Sequence, residues 1–282
     1  MQNKNTFHQR LKWIESKVIT QFQIKKKMNK NNFGNYQSLS AELYEIDKPK
    51  VANDELLFYI EYALQANGLI LEPMCGTGRF LMPFMEGGFL IEGFDASQSM
   101  LDILMKKSRQ KNLKPKIWKG ALQDLNVKIR YDLVLIPDSS FNLLLNEETI
   151  KLCLNNIYKH LNKEGKFVFE LTTLNYMKKV EANKRKSFST EVGDGNVIFQ
   201  NIFIMPFEGP IVTTKSYCEL HNKKDRVEKI EVEELSFFFH DPVEVSRWLA
   251  EAGFREIKRL KAFDHAEQAE EEDEVIVIEC SK

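Results

Sequence analysis

The chain reads as an α/β protein on a doubly wound sheet, and three features of the sequence give that reading. Five short apolar runs have strand character, and four of them are separated by helices or helix-length connections. One run ends abruptly in a glycine-rich bend that leads into a helical pattern, between Gly68 and Met82. The run Tyr131 to Ile136 is apolar almost without alternation, as a central parallel strand covered on both faces should be.

In chain order, Phe7, Leu11, Ile14 and Val18 recur at spacings of four, three and four and describe an amphipathic helix, which Lys25, Lys26, Lys27 and Lys30 follow. Those lysines either complement the helix dipole in solvent or meet an anionic membrane or RNA. Asn31 to Asn35 is a loop by composition, and Ser38 to Ile46 is a short helix. Asn53 or Asp54 is placed to cap a helix through Leu56, Leu57, Ile60 and Leu64. Leu69 to Leu71 opens the sheet, and Phe80 to Met85 is the first crossover helix, closed by Gly87 and Gly88. Phe89 to Asp95, Pro115 to Lys119, Tyr131 to Ile136 and Lys166 to Leu171 supply the next four strands, with helices over Gln98 to Arg109 and from Asn146 to Leu161. The texture then changes. Asn196 to Met205, Ile211 to Leu220 and Arg226 to Phe239 are strands joined by turns alone, with Ile230 and Val232 alternating with Glu231 and Glu233. Asp241-Pro242-Val243-Glu244 opens a helix that ends at Gly253, and Phe254 to Phe263 and Glu274 to Glu279 finish as strands.

The glycine-rich bend carries the chemistry. Gly76 and Gly78 let the backbone turn sharply and leave no Cβ between it and a ligand, while the following helix presents unpaired N–H groups. Dinucleotides and S-adenosylmethionine compete for such a loop. A dinucleotide fingerprint wants a third glycine, where this chain has Leu81. Glu72, beside the loop, would repel a pyrophosphate and suits a ligand carrying an ammonium and a sulfonium. The second strand ends in Asp95, 23 positions after Glu72, where an acid accepts ribose hydroxyl protons or shares a helix cap with Ser97. Met100 comes close behind that position on the next helix. Asp138, after the fourth strand and Pro137, either orients an acceptor or starts a turn with Ser139. His240 is the histidine placed to serve as a base, or else to cap or pack.

Leu71-Glu72-Pro73-Met74-Cys75-Gly76-Thr77-Gly78-Arg79 resembles the first motif of class I S-adenosylmethionine-dependent methyltransferases, with Met74 where the first family glycine stands. Asp95-Ala96-Ser97-Gln98-Ser99-Met100-Leu101 is similar to that family's D-x-S-x-x-M-L, and the segment from Tyr131 through Ser140-Phe141-Asn142 resembles its YDLVxxxxxSFNxL. The likeness runs from about Asn35 to Ser281 and is strongest to the small-molecule enzymes with a late antiparallel lid. It implies a Rossmann-like seven-stranded sheet with an antiparallel β insertion and N-terminal helices, S-adenosyl-L-methionine as cofactor, and methyl transfer to nitrogen, oxygen or sulfur of a small-molecule acceptor. It further implies a donor site of Glu72, Cys75, Gly76, Thr77, Gly78, Arg79, Asp95, Ala96, Met100 and Pro137. Tyr44, in a segment resembling the family's cover over the cofactor, is a donor-pocket and catalytic candidate with Asp138 and His240, or an interfacial tyrosine. Ala121 replaces an aspartate that commonly receives the adenine amino proton, which leaves adenine to backbone groups and apolar walls such as Leu122. Met74 and Ala121 keep open a cofactor-binding regulator without turnover, and the soft glycine signal keeps open an NAD(P)-dependent oxidoreductase.

The expected parts are an N-terminal helical segment and cover over 1–50, the donor-binding core over 51–186, the β insertion over 187–240 serving as lid or dimer surface, and a closing helix and hairpin over 241–282. A length of 282 residues, with 43% hydrophobic and 29% charged residues, suits a globular chain with a sizeable core. With a net charge of -1 a nucleic-acid partner is not implied, although local basic patches keep it open, and the chain has no run of about 18 apolar residues to suggest a membrane span. The four scattered cysteines suggest neither zinc nor disulfides, and a reducing cytoplasm is the expected location.

Overall fold

The computed structural model describes residues 36–282, so the basic amphipathic helix and the loop expected over 1–35 lie outside the described residues. Helix α1 spans Ser38–Asp47 and α2 spans Asn53–Gln65. Neither Asn53 nor Asp54 caps α2: the N-cap is Ala52, and both polar residues fall inside the first turn, one and two positions too late. The strand–helix alternation then runs β1 (Ile70–Pro73), α3 (Leu81–Glu86), β2 (Ile91–Asp95), α4 (Gln98–Gln110), β3 (Lys116–Lys119), β4 (Tyr131–Ile136), α5 (Glu147–His160) and β5 (Leu161–Thr172). Side chains at the expected positions start two of these helices: Ser97 Oγ accepts from the Met100 N–H, and Asn146 Oδ1 from the Thr149 N–H.

After β5 come four strands without an intervening α-helix, β6 (Arg185–Val192), β7 (Asn196–Ile204), β8 (Ile211–His221) and β9 (Val227–Phe238). The sequence reading had three of them. It missed β6, whose exposed edge position leaves it polar and without an apolar face to read. Helix α6 (Pro242–Ala252) starts on Asp241, whose side chain accepts from the Val243 N–H, and ends at Gly253 in a left-handed turn, φ 103°. Strands β10 (Arg255–Lys261) and β11 (Val275–Ser281) close the chain.

The main sheet has seven strands in the order β10-β11-β5-β4-β1-β2-β3, and the second has four in the order β6-β7-β8-β9. In the main sheet β1 to β5 are parallel, and β11 runs antiparallel to β5 and β10. Helices cover both faces. Leu71, Val134, Ile136, Phe167 and Phe169 point to the side of α5 and α6, while Ile70, Leu133, Leu135, Val168 and Ile91 point to that of α2 and α3. This alternation fixes which face each strand-end acid takes. On the second sheet, Val192, Ile198 and Cys218 pack against Leu39 and Leu43 of α1, so the insertion seats the helix expected to cover the donor pocket.

The β9 carboxylates also hold the start of α1, which has no side-chain cap of its own. Leu39 N–H donates to Glu231 Oε2 at 2.7 Å, Ser38 Oγ to Glu231 Oε1 at 3.0 Å, and the Gln37 N–H to Glu233 Oε1. Acceptors from across the chain satisfy amides that a helix cannot pair internally, and their negative charge sits at the positive dipole end.

Candidate active site

The bend after β1 is a run of left-handed residues: Met74 at φ 59°, Gly76 at 51° and Gly78 at 76°. Met74 thus adopts a left-handed conformation of the kind that suits glycine, at a cost of about 1–2 kcal/mol. A Cβ on Gly78 would stand 2.7 Å from Leu104 Cγ, whereas one on Gly76 would meet nothing within 4 Å. Gly78 is therefore required by the core beneath it, and Gly76 is free to face a ligand. The missing third glycine has its counterpart across the interface, because Leu81 packs where Gly93 of β2 has no side chain, and a Cβ there would lie 2.6 Å from Leu81 Cδ1.

Asp95 at the tip of β2 ties the two ends of the loop region together, accepting from the Gly76 N–H at 2.9 Å and the Ser97 N–H at 2.7 Å. Burial holds its pKa above the usual carboxylate range, against the pull of those two amides. Ala96 is exposed beside it and Met100 is buried behind it. The Cys75 side chain packs under Gly93, leaving its backbone to face the loop, and the buried Thr77 Oγ1 has no hydrogen-bond partner. Ala121 is half-buried with its carbonyl accepting from the Asp124 N–H, and Leu122 is buried. Glu72, only 3% exposed, keeps Oε2 without a partner, and desolvation pushes its pKa well up although Arg79 pulls it down.

Beyond β4, Asp138 and Ser139 are both left-handed, at φ 55° and 52°, so the turn expected there forms. Asp138 also gathers three partners: Tyr44 Oη donates to it at 2.9 Å, Lys48 Nζ lies at 2.9 Å, and Arg79 Nη2 at 3.0 Å. The structure thereby brings Tyr44, Arg79 and Asp138 together and joins the glycine loop, the tip of β4 and α1. Burial and the Asp138 charge hold the Tyr44 hydroxyl protonated. Pro137 is buried, its carbonyl accepting from the Ser140 N–H.

His240 stands apart from this cluster. It is 1% exposed, its ring packs on Phe141, Phe238 and Trp248, and neither ring nitrogen has a hydrogen-bond partner. Burial lowers its pKa to about 3, so at neutral pH it is an uncharged and weakly basic imidazole.

Sequence reasoning passed over Glu170, Glu55 and Tyr59. Glu170, 7% exposed near the end of β5, accepts from Ser139 Oγ at 2.6 Å, and desolvation raises its pKa to about 7. Glu55 of α2 lies 3.6 Å from Arg79, and the buried Tyr59 hydroxyl of the same helix has no partner. The signal for Glu170 was an acid inside an otherwise apolar strand, Phe167-Val168-Phe169-Glu170-Leu171. Among the described residues no group of three His, Cys, Asp or Glu is arranged to hold a metal, and no helix is long and apolar enough to cross a membrane.

These residues fit an adenosyl amino acid: a buried acid with a spare oxygen for an ammonium, a second acid for ribose, and a loop open at Gly76. Residues 70–165 match the family described as "Methyltransferase domain". A protein of Geobacillus sp. (strain WCH70), provisionally named a methyltransferase, is 29% identical over 39% of this chain and 45% of its own length. The chain spans about half the length of the curated relatives it matches. The fold is similar to that of an S-adenosylmethionine-dependent methyltransferase from Clostridium acetobutylicum ATCC 824, with a TM-score of 0.70, 20% identity and coverage of 86% of this chain and 96% of that one. It is also similar to S-adenosylmethionine-bound CalS10, an amino pentose methyltransferase from Micromonospora echinaspora, at a TM-score of 0.62, 14% identity, and 88% and 98% coverage. Residues 70–165 thus match a methyltransferase domain, and the fold around them is similar to that of S-adenosylmethionine-dependent methyltransferases.

Proposed function

We propose that the chain transfers a methyl group from S-adenosylmethionine to a nitrogen, oxygen or sulfur of a small molecule. The observation that carries this reading is Glu72: a buried acid with one unpartnered oxygen beside a glycine loop favours a ligand that brings a positive charge and disfavours a dinucleotide pyrophosphate. The bound donor supplies a methyl carbon already activated by a sulfonium, so the protein needs no covalent nucleophile.

The chain's part is to hold and to enclose. Glu72 takes the donor ammonium, Asp95 turns its carboxylate to the ribose hydroxyls, and the N–H groups of the glycine loop line the near side. Asp138, gripped by Arg79, Lys48 and Tyr44, latches α1 over the loop and keeps water from the reacting atoms. The four-stranded sheet, seated on α1, serves as the lid over the acceptor side. The likeness to an amino pentose methyltransferase supports an acceptor of small-molecule size.

Calorimetry tests the donor half directly. S-adenosylmethionine and S-adenosylhomocysteine should both bind, NADH should not, and Glu72→Gln should weaken S-adenosylmethionine by at least about tenfold, the loss of one buried charge pairing. Binding of NADH in place of either compound, or full affinity in the Glu72 variant, refutes the reading.

A further inference from the structure

The acids at the C-terminal edge of the sheet are arranged one to a strand: Asp95 on β2, Glu72 on β1, Asp138 just past β4 and Glu170 on β5, in the spatial order β2-β1-β4-β5. Neighbouring strands are about 4.8 Å apart. Asp95 and Glu72 are assigned to the donor's ribose and ammonium, and Asp138 is saturated by Tyr44, Lys48 and Arg79. Glu170 is left. Ile136 pairs with Phe169, which sets Glu170 level with Pro137 at the mouth of the sheet. Val168 shares its face with Ile70, so Glu170 lies on the same side as Glu72, farther from the ribose end.

Its surroundings are short of positive charge. The charged groups bearing on it are Asp138, Glu55, Lys48 and Arg79, so three carboxylates, Glu170 included, face two cations that are already paired with Asp138. Among the described residues only Ser139 donates to the Glu170 carboxylate, and the Tyr59 hydroxyl, on which Glu170 is the strongest neighbouring charge, has no partner. A buried carboxylate so placed favours a cationic ligand.

Building on the donor reading above, we infer that the acceptor is an amine whose ammonium group docks on Glu170, and that Glu170 receives its proton. The proton passes from nitrogen to the carboxylate. The freed lone pair forms the nitrogen–carbon bond as the carbon–sulfur bond of the donor breaks, and that electron pair stays on sulfur. The pKa of about 7 on Glu170 suits this task. An alkylammonium proton sits about three pK units higher and a hydroxyl proton, taken as in water, about nine, so a carboxylate here serves an amine and not an alcohol. A thiolate would be repelled by the excess of carboxylates.

The test uses the protein saturated with S-adenosylhomocysteine and three probes of one shape, cyclohexylamine, cyclohexanol and cyclohexanecarboxylate, followed by ligand-observed NMR. Cyclohexylamine should bind in preference to the other two. Its affinity should rise as pH passes through about 7 and should fall at least about tenfold in Glu170→Gln, with S-adenosylhomocysteine affinity unchanged. Equal binding of amine and alcohol, no amine binding, or an unaffected Glu170→Gln overturns the inference while donor binding stands. If Glu170→Gln does not fold, the wild-type profile decides: amine affinity flat between pH 6 and 8 overturns it. A wild-type protein that ignores S-adenosylhomocysteine instead sinks the donor reading itself.

Discussion

Exchanging each loop glycine for alanine separates what the fold needs from what the ligand needs. Both residues are left-handed, at φ 51° for Gly76 and 76° for Gly78, so either alanine carries a conformational cost of about 1–2 kcal/mol. A gain of about 0.4–1 kcal/mol from a less flexible unfolded chain offsets part of it. At Gly76 that is all, since the added methyl meets nothing within 4 Å. At Gly78 the methyl would stand 2.7 and 2.9 Å from Leu104 carbons and 3.3 Å from Met82 Cγ, and overpacking adds about 1–3 kcal/mol. Gly78→Ala should therefore lose about 2–4 kcal/mol, lowering Tm by roughly 4–12 °C, while Gly76→Ala loses little more than 1 kcal/mol. Donor affinity should fall in the opposite order. The Gly76 methyl intrudes on the surface that the loop offers to the ligand and should weaken S-adenosylhomocysteine binding by at least about tenfold. Calorimetric unfolding and titration of the two variants measure both effects. A Gly76 variant that binds as tightly as wild type, or one less stable than the Gly78 variant, would refute the assignment of the loop's inner and outer sides.

Asp95→Asn replaces a carboxylate bonded to two backbone amides with a group that can accept from one of them. Stability should fall by about 1–3 kcal/mol and donor affinity by about 10–100-fold, measured by denaturant titration and calorimetry. Glu231→Gln weakens the acceptors of the Leu39 N–H and Ser38 hydroxyl; hydrogen exchange over 38–47 should quicken while exchange in β4 and β5 stays slow. His240→Phe tests both base and packing roles. The folded pKa of about 3 lies below the ordinary 6.5, so the stability that neutral His240 confers is present above pH 6.5 and lost as pH falls toward 3, at up to about 1.4 kcal/mol per pH unit. The phenylalanine variant should lose that part of the pH slope, and an unchanged slope would show that His240 is not its source.

The legible part of this protein was the part governed by local pattern. Strand–helix alternation, the Ser97, Asn146 and Asp241 caps, and the placing of Glu72 and Asp95 at strand ends follow from residues within a few positions of one another. What escaped was made by distant pairing. Strand β6 is polar and gains strand form from its ladder with β7. Glu55 reads as an ordinary first-turn acid of α2, yet it faces Arg79. Asp138 looked like a turn residue or a ligand group, and the three partners that occupy it come from two other elements. Glu170 was visible as a break in an apolar run, but its meaning depends on the neighbours that strand order supplies.

The tether between β9 and the first described helix bears on how the molecule comes into being. Leu39 leaves the ribosome well before the residue whose carboxylate oxygen anchors its amide, since Glu231 lies 192 positions later. During synthesis the cap over the loop has no clasp until the second sheet has emerged. The first described helix therefore gains this anchor only after 192 further residues have been added and β9 has formed.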